Sequence, residues 1–382
     1  MIRVGFIGAV SKEWMGGLNY FKNLLYAIST LEKNELEIFV FVGKKTDTEI
    51  KTMFQKYATL IEDSIFDRKS LKWLCYKLEN KLFKTNYFLE RLLRKSNIEV
   101  LSHASVTNLN FVKIINWIPD FQHLHLPDMF SEEELASRNK DFMNLIKSSN
   151  KIVLSSYDAK QDFKIFAPKH INKAAVLQFV SQPDDRYAKL TENDKDILLN
   201  KYNIKQKNFF YLPNQFWKHK NHMLVFESIK LSVSINSDIC VVCTGYLDDY
   251  RNKDYLNDIN NFIKTNKLEE NIKLLGLVDY EDVFGLIKFS SAVINPSLFE
   301  GWSSTVEECK SVNKNMILSN LSVHREQYPE ATFFERNDIE ELSDVLVSYK
   351  IPKVKEIESV EVRSIIFAQN YVDIVKEVLN VK

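Results

Sequence analysis

The chain has few cysteines, no long apolar run and no excess of charge of either sign. Four cysteines in 382 residues are too few for the disulfide framework of a small secreted domain. Lysine plus arginine equals aspartate plus glutamate, at 51 each, so no global charge indicates a nucleic-acid partner. No stretch reaches the roughly 18–20 apolar residues of a membrane span.

Two other sequence features do not support the role that they first suggest. Cys240 and Cys243 form a C-x-x-C, but they lie in the apolar run SDICVVCTG. Without a second pair or nearby histidines, this pattern predicts two thiols in a buried strand rather than a metal site. The opening stretch MIRVGFIGAV is too short and too interrupted by glycine for a signal peptide. We therefore expect a cytoplasmic protein.

The chain is rich in apolar and aromatic residues, with 26 Phe and 16 Tyr, and its length favours two domains. Short apolar runs alternate with segments of helical periodicity, and the pattern restarts after Pro183. This alternation predicts two α/β domains with parallel sheets covered on both faces. Ligands of such folds bind beyond the carboxyl ends of the strands, so we expect a site in a cleft between the domains.

The stretch INPSLFEGWSSTVEECKS, residues 294–311, places two glutamates at such a strand end. Glu300 follows an apolar run, and Glu308 lies eight positions later in the first turns of a predicted helix. Ser304 and Glu307 match a capping box, which gives Glu307 a structural role. A helix N-terminus attracts phosphate, and carboxylates accept hydrogen bonds from sugar hydroxyls. The pattern predicts a nucleotide-sugar site, although favourable placement beside the helix dipole explains Glu308 equally well.

SLFEGWSSTVEECKS resembles the E-x7-E motif of retaining glycosyltransferases with the GT-B fold, especially those of family 4, or group 1. The resemblance implies two Rossmann-like domains whose parallel sheets face each other across a cleft. Residues 1–185 would form the acceptor-binding domain and residues 186–364 the nucleotide-sugar-binding domain. A helix over about 365–382 would pack back on the first domain.

The resemblance also implies roles for individual residues. Glu300 would contact hydroxyls of the donor sugar, and Glu308 would contact the ribose. The distal phosphate would bind the turn between them, at Gly301, Trp302, Ser303 and Ser304.

Three more segments resemble the family in the expected order. GAVSKEWMGG resembles the N-terminal glycine-rich loop, in which Gly16 and Gly17 would let the backbone approach the donor or acceptor. NQFWKHKNH resembles the segment in which a lysine, here Lys220, binds the diphosphate. IINWIPDFQHLHLPDMF resembles the loop that places Asp120 and a histidine beside the reacting sugar. Taken alone, the glycines also fit an ordinary turn and Lys220 fits a surface lysine.

The chain departs from the family pattern at two positions. Gln215 stands where many relatives carry an arginine, and Pro119 stands where many carry the catalytic-loop histidine. His123 or His125 of the same loop could substitute, and each is equally consistent with a packed or exposed loop histidine. Because a subset of bacterial members shares the PDFQH and FWKHKNH wording, we interpret these departures as a subfamily variant.

No metal or other cofactor is expected. Adjacent aspartates occur in YLDDY, residues 246–250, and in QPDDRY, residues 182–187. Neither pair follows a strand as a metal-binding Asp-x-Asp does, so both are interpreted as solvated loop acids. In a GT-B enzyme the helix N-terminus and the lysine would stabilise the leaving diphosphate instead.

Residues 68–95 are strongly basic, with nine Lys/Arg against two Glu and interleaved aromatics. Such an amphipathic segment can lie on an anionic membrane surface. The alternative is a solvated basic face around an ordinary core stripe formed by Leu71, Leu74, Leu78 and Leu82.

The resemblance implies a retaining hexosyltransferase that uses a nucleotide-diphosphate sugar and a glycan or lipid-linked acceptor. The resemblance places it in bacterial surface-polysaccharide or glycoconjugate synthesis, in the cytoplasm or peripherally on the inner face of the cell membrane. A nucleotide-sugar epimerase of the same fold and a non-catalytic GT-B partner subunit remain as alternatives.

Overall fold

The computed structural model describes residues 1–8, 15–107, 109–183, 187–247, 249, 252, 254–352 and 357–380. The chain folds into two compact units. Unit 1 comprises Met1–Ser181 together with Val360–Lys382, and unit 2 comprises Gln182–Ser359.

Unit 1 is built on a seven-stranded parallel sheet with the strand order β3-β2-β1-β4-β5-β6-β7. Its strands are β1 (Ile2–Ile7), β2 (Leu36–Val42), β3 (Thr59–Glu62), β4 (Val100–Ser102), β5 (Lys113–Ile118), β6 (Lys151–Leu154) and β7 (Ala174–Val176). Its first helices are α1 (Met15–Ser29), α2 (Thr48–Gln55), α3 (Leu71–Phe83), α4 (Tyr87–Lys95), α5 (Gln122–His125), α6 (Glu132–Ser148) and α7 (Tyr157–Phe166). The central strands are apolar on both faces because helices cover both sides of the sheet.

Unit 2 is built on a six-stranded parallel sheet with the order β10-β9-β8-β11-β12-β13. Its strands are β8 (Phe210–Leu212), β9 (Val241–Thr244), β10 (Ile272–Gly276), β11 (Val293–Asn295), β12 (Met316–Ser319) and β13 (Thr332–Phe334). Its helices are α8 (Glu192–Lys201), α9 (His222–Val233), α10 (Tyr255–Thr265), α11 (Tyr280–Phe289), α12 (Ser304–Ser311), α13 (Ser322–Gln327) and α14 (Ile339–Ser348). One apolar cluster lies on each face of this sheet.

A long helix, α15 (Val360–Leu379), follows unit 2 in the sequence but belongs to unit 1. It packs against α1. Phe367 and Tyr371 are fully buried there, with ring centroids 6.4 Å from Tyr20 and 5.9 Å from Phe6 respectively. Part of the cover of this sheet therefore comes from a distant part of the sequence.

The prediction of two α/β sheets with parallel strands is confirmed. Cys240 and Cys243 are buried thiols at β9, as predicted. The short edge strands β3 and β13 were not predicted, because their sequences carry no distinct apolar run between turn residues. Within the described residues, no helix is long and apolar enough to cross a membrane.

The prediction of a leucine core stripe in the basic segment is wrong. Helix α3 has no buried residue, and all four leucines of the stripe are exposed. Leu89 and Leu93 of the following helix α4 are fully buried in the core, and Tyr76 of α3 packs against the same cluster. The segment therefore anchors through α4 and presents α3 to solvent.

Candidate functional site

Buried polar side chains lie at the carboxyl edge of the unit 2 sheet, where its apolar strands end. Asn214 lies two residues after β8, Asn295 ends β11 and Ser319 ends β12. Asn214 Nδ2 donates to Asn295 Oδ1 (3.2 Å), and Asn295 Nδ2 donates to Ser303 Oγ (3.0 Å). Ser319 Oγ donates to the carbonyl oxygen of Ser297 at 2.7 Å. These bonds fix the loops after three strands against one another.

Glu300 and Lys220, both predicted site residues, form an ion pair on this edge. Lys220 Nζ lies 2.6 Å from Glu300 Oε1, and the two side chains are only 17% and 9% exposed. Ser297 Oγ lies 2.7 Å from the same oxygen. Burial by itself opposes ionisation of Glu300, but the charges of Lys220 and His324 and these hydrogen bonds outweigh it and lower its pKa to about 2. Glu300 is therefore ionised throughout the neutral range.

Both partners of the ion pair retain unused hydrogen-bonding capacity. Within the described residues, Glu300 Oε2 accepts no hydrogen bond, and Lys220 Nζ donates only to Glu300. An ammonium group has three donors, so two remain for a ligand. The pair is thus a fixed positive and negative group, each with one side open to a further partner.

The loop that carries Lys220 is held by bonds to two neighbouring loops. Lys220 ends a short 3-10 turn that precedes α9. The amide of Leu298 donates to the carbonyl oxygen of His219 at 2.8 Å, and the amide of Lys218 donates to Asp249 Oδ2 at 3.1 Å. Asp249 is buried, so its interpretation as a solvated loop acid is wrong. Its partner in that sequence pair, Asp248, lies outside the described residues.

Gly245 allows one of these loops to pass close to another. Its φ of 141° lies in a region that side chains rarely adopt, and a Cβ atom there would clash with the carbonyl oxygen of Asn214. A glycine is therefore required at this position.

Glu308 lies on α12 in a different electrostatic environment from Glu300. It is partly buried, and in the described part of the chain its carboxyl group contacts no cation or hydrogen-bond donor. Burial raises the pKa of Glu308 to about 7, because no opposite charge offsets the lost hydration. A carboxyl group in this state gains the most from a ligand that brings hydroxyl donors.

The first turn of α12 is organised differently from the prediction. Its N-cap is Ser303, whose Oγ accepts from the amide of Val306, so the capping box predicted at Ser304 is wrong. The buried Gln327 holds this turn: its Oε1 accepts from the Ser303 amide (3.1 Å), and its Nε2 donates to the Ser303 carbonyl (2.8 Å) and to Glu307 Oε1 (3.1 Å). Glu307 keeps a structural role, but through Gln327 rather than through a cap.

This arrangement corrects the predicted phosphate-binding turn at one position. The Ser303 amide already has a protein acceptor, so it is not available to a phosphate. Across the described chain, the amides of Gly301, Ser304 and Thr305 have no protein acceptor. Trp302 lies partly buried in the same turn. Three open amides at a helix N-terminus form an anion-binding arrangement.

His324 is a buried residue of this edge that the sequence did not indicate. Its Nδ1 lies 2.9 Å from the carbonyl oxygen of Ser319, and its Nε2 has no partner among the described residues. Burial lowers the pKa of His324 in spite of the opposing charge of Glu300. Its place in the sequence could have indicated it, because His324, like Asn214, comes soon after an apolar strand.

The site residues predicted in unit 1 lie on separate elements, at α1 and α5. Gly16 and Gly17 lie in the first turn of α1 rather than in a loop. No described atom lies within 4 Å of a Cβ added at Gly16, so no protein contact described here requires a glycine there. The rest of the predicted glycine-rich loop, residues 9–14, lies outside the described residues. Asp120 accepts from the amide of Gln122 at 2.9 Å and so starts α5.

The two candidate loop histidines have different environments. His123 is buried, with Nε2 3.1 Å from Asn139 Oδ1, and burial lowers its pKa. His125 is more exposed, and its Nε2 lies 2.8 Å from Asp162 Oδ1. The environment of His123 is that of a packed histidine, whereas a buried carboxylate orients the imidazole of His125 towards the surface.

The carboxyl edge of the unit 1 sheet carries buried aromatic residues. His103 follows β4, with Nε2 2.8 Å from Tyr20 Oη and Nδ1 2.7 Å from Ser102 Oγ. Tyr20 stacks on Trp117 with ring centroids 4.2 Å apart. Burial lowers the pKa of His103 to about 3, so the cluster of His103 and Tyr20 is neutral at neutral pH.

No metal-binding group is placed in the described ranges: within them, no three His, Cys, Asp or Glu residues are positioned to hold an ion. The predicted aspartates Asp184 and Asp185 lie outside those ranges.

Comparison with known proteins gives a family match within unit 2. Residues 194–349 match the family model described as "Glycosyl transferases group 1". These residues include Lys220, Glu300 and Glu308, and they span the polar edge from β8 to β13. No curated protein matches the chain.

Several solved structures are similar to this chain over nearly its whole length, and two of the three described next are named as glycosyltransferases. One, a glycosyltransferase from Rickettsia africae, has a TM-score of 0.68 and 16% identity, covering 99% of this chain and 98% of its own. The Anabaena protein Alr3699/HepE, in complex with UDP and glucose, has a TM-score of 0.66 and 13% identity, covering 100% and 99%. The lipopolysaccharide outer core galactosyltransferase WaaB has a TM-score of 0.60 and 14% identity, covering 98% and 99%. The predicted GT-B fold class is confirmed.

Proposed function

We propose that this chain, whose residues 194–349 carry a group 1 glycosyltransferase domain, transfers a hexose-type sugar from a nucleotide-diphosphate sugar to a glycan or lipid-linked acceptor. The observation that carries the proposal is the carboxyl edge of the unit 2 sheet. A nucleotide-sugar has three parts: the sugar, the diphosphate and the ribose. On this edge they would meet Glu300, the open amides at the start of α12, and Glu308, which has no partner among the described residues.

The ribose of the donor would bind Glu308. Its carboxyl group is partly buried and lacks a donor among the described residues, and a ribose offers two adjacent hydroxyl donors. Because the ionised form is the better acceptor and the pKa is about 7, nucleotide binding would favour the ionised form. Binding would therefore release a proton and strengthen as the pH rises from 6 to 8.

The diphosphate would bind Lys220 and the amides of Gly301, Ser304 and Thr305. These groups stabilise negative charge without rearrangement, because Glu300 holds Lys220 and Gln327 holds the turn. Preorganised donors of this kind stabilise a leaving group strongly in a water-poor site. We propose that they replace a metal ion in this role.

The sugar would lie against Glu300, whose Oε2 is open to a hydroxyl group. We propose a retaining, front-face reaction. The bond from the anomeric carbon to the phosphate oxygen breaks, and its electron pair leaves with the nucleoside diphosphate. The acceptor oxygen bonds to the same face of the anomeric carbon, and its proton passes to the departing phosphate.

The acceptor would bind unit 1, where Asp120 and His125 are the predicted residues nearest the ends of β5 and α5. Two of the similar structures support this proposal. HepE is in complex with UDP and glucose, and WaaB is a lipopolysaccharide outer core galactosyltransferase. We therefore propose a uridine nucleotide as the first donor to test and a role in bacterial surface-polysaccharide or glycoconjugate synthesis in the cytoplasm.

The test is a thermal-shift panel with UDP, GDP, TDP and CMP on the wild type and on Glu308→Ala. A nucleotide at a hundred times its dissociation constant stabilises the folded state by roughly 2.7 kcal/mol, which raises Tm by several degrees. We expect one nucleoside diphosphate to raise the Tm of the wild type and to have little effect on Glu308→Ala. Glu330→Ala, at an exposed glutamate, is the matched control and should respond like the wild type.

The matching nucleotide-sugar is then incubated with candidate acceptors, and the products are identified. Nucleoside diphosphate release with an acceptor-linked sugar of unchanged anomeric configuration supports the proposal. An epimerised sugar would show the epimerase instead. If no nucleotide shifts the Tm, the non-catalytic partner subunit becomes the better explanation.

A further inference from the structure

The most unusual surface of unit 1 is the outer side of α3. Leu71, Leu74, Leu78 and Leu82, called here the leucine face, are 79%, 45%, 55% and 67% exposed. Their spacing of three, four and four residues places them on one side of the helix. Single exposed leucines are ordinary on a protein surface, but a contiguous row of four is the pattern of an interaction site.

The other side of α3 attaches the helix to the protein. Tyr76 Oη and Asn80 Nδ2 both donate to Asn86 Oδ1, at 3.1 and 3.0 Å. Tyr76 and Asn80 lie about half a turn away from the leucines. The leucine face therefore points away from the body of unit 1 because the polar contacts on the opposite side fix the rotation of the helix.

The turn after α3 holds the helix rigidly and extends its apolar surface. Glu79 accepts from Thr85 Oγ1 (2.8 Å) and from the amides of Tyr87 and Phe88, so it caps the start of α4. Phe83 is 72% exposed beside this turn, and Tyr87 is also exposed. The apolar surface thus continues from the leucine face around the end of the helix.

Basic residues surround the leucine face. Residues 68–84 contain six Lys/Arg and one Glu, and that Glu79 is engaged in the cap. Lys77 and Lys81 follow the leucines along one flank of the helix, and both are exposed. Two copies of the chain joined through this face would bring like charges together. An anionic surface would instead neutralise them.

We propose that the leucine face of α3 docks on an anionic lipid bilayer. The helix would lie parallel to the membrane plane, with the leucines at the boundary between headgroups and acyl chains. The flanking lysines would contact the lipid phosphates. This inference is independent of the proposed function, since it rests on α3 and not on the unit 2 edge.

The test measures sedimentation of the full-length protein with vesicles of phosphatidylcholine alone or with 30% phosphatidylglycerol. We expect the wild type to bind the anionic vesicles and to bind neutral vesicles at least tenfold more weakly. Leu74→Gln/Leu78→Gln should reduce anionic binding at least tenfold, because it removes inserted side chains. Lys77→Glu/Lys81→Glu should abolish it, and 0.5 M salt should weaken wild-type binding.

The matched controls change equivalent residues elsewhere on the surface. Ile165→Gln, at an exposed isoleucine of α7, and Lys140→Glu/Lys147→Glu, on the exposed side of α6, should leave binding unchanged. Because all substituted α3 residues are exposed, the variants should keep the wild-type Tm and the nucleotide-induced Tm shift. A vesicle defect with a normal nucleotide response separates this surface from the donor site.

Two outcomes would overturn the proposal. The first is a wild type that ignores anionic vesicles, or leucine variants that bind them as well as the wild type does. The second is a wild-type dimer by light scattering that becomes monomeric in Leu74→Gln/Leu78→Gln without any vesicle binding. That result would assign the leucine face to a second copy of the chain.

Discussion

The two parallel sheets share an architecture but differ in the chemistry of their carboxyl edges. The unit 2 edge holds the Lys220–Glu300 ion pair and the carboxyl group of Glu308, which has no hydrogen-bond partner among the described residues. The unit 1 edge holds Tyr20 and His103, which are buried, neutral and bonded to each other. The fold therefore fixes where a site can form, and the residues near the strand ends decide whether a charged or a neutral cluster lies there.

The largest expected effect is on the charged edge. Lys220→Ala should lower turnover by a factor of about 10² or more, because one preorganised partner of the leaving diphosphate is lost. Steady-state kinetics measure it, with the nucleotide-sugar that the thermal-shift panel selects as donor. Lys218→Ala, two positions earlier and exposed, should keep near-normal turnover.

A double variant separates catalysis from stability at the same pair. Lys220→Ala also leaves Glu300 buried without its cation, so Tm should fall. Lys220→Met/Glu300→Gln removes both charges, and we expect its Tm to recover while its turnover stays low. Recovery of turnover in the double variant would show that the pair has only a structural role.

The next effect is on the pH dependence of stability at Glu308. Its folded pKa of about 7 lies above the unfolded value, so its contribution to stability is full below the unfolded pKa and is lost as the pH rises through 7. Glu308→Gln should therefore raise the free energy of unfolding by about 2–3 kcal/mol at pH 8 and change little at pH 4. Denaturant unfolding at both pH values measures this.

The same variant should bind nucleotide more weakly despite its greater stability. A neutral amide is a poorer acceptor for two hydroxyl groups than a carboxylate is. If Glu308→Gln instead raised the free energy of unfolding equally at pH 4 and pH 8, burial would not be destabilising the ionised carboxylate of Glu308.

The smallest effect is on the neutral cluster of His103 and Tyr20, and it has the opposite pH dependence. The pKa of His103 falls to about 3 in the folded state, below its unfolded value near 6.5. Its contribution to stability is therefore present above pH 6.5 and is lost as the pH falls towards 3. His103→Asn removes the titrating group and suits the positive φ of 54° there.

We expect this variant to be about 1–3 kcal/mol less stable at pH 8, from the lost hydrogen bonds. Its further loss on acidification to pH 4.5 should be about 2 kcal/mol smaller than that of the wild type. Its nucleotide-induced Tm shift should match the wild type. A smaller nucleotide-induced Tm shift in the variant would mean that the cluster of His103 and Tyr20 also contributes to donor binding.

The sequence predicted the strands and the charged residues of the edge because both depend on local patterns. Apolar runs between turn residues predicted most of the strands, and the apolar run before Glu300 and the predicted helix around Glu308 placed them after β11 and on α12. The partners of those residues were not predictable. His324 and Gln327 approach the edge from α13, and their pairing depends on how separate loops pack.

The leucine face also shows that a sequence pattern does not predict packing partners. The spacing of Leu71, Leu74, Leu78 and Leu82 indicates a helix with one apolar side, and that is observed. Periodicity does not show which side meets the protein. In this helix Tyr76 packs against the core and donates, like Asn80, to Asn86, so the leucines on the opposite side face solvent.

The path of α15 has a consequence for synthesis of the protein. All of unit 2 lies between the unit 1 sheet and the helix that covers part of it. During translation, the surfaces of α1 and β1 that contact Phe367 and Tyr371 therefore stay uncovered until about 180 further residues have been made. At 5–20 residues per second the delay is on the order of ten to forty seconds. Unit 2, which is continuous in sequence, can complete its fold first, so the half that begins earlier is expected to finish later.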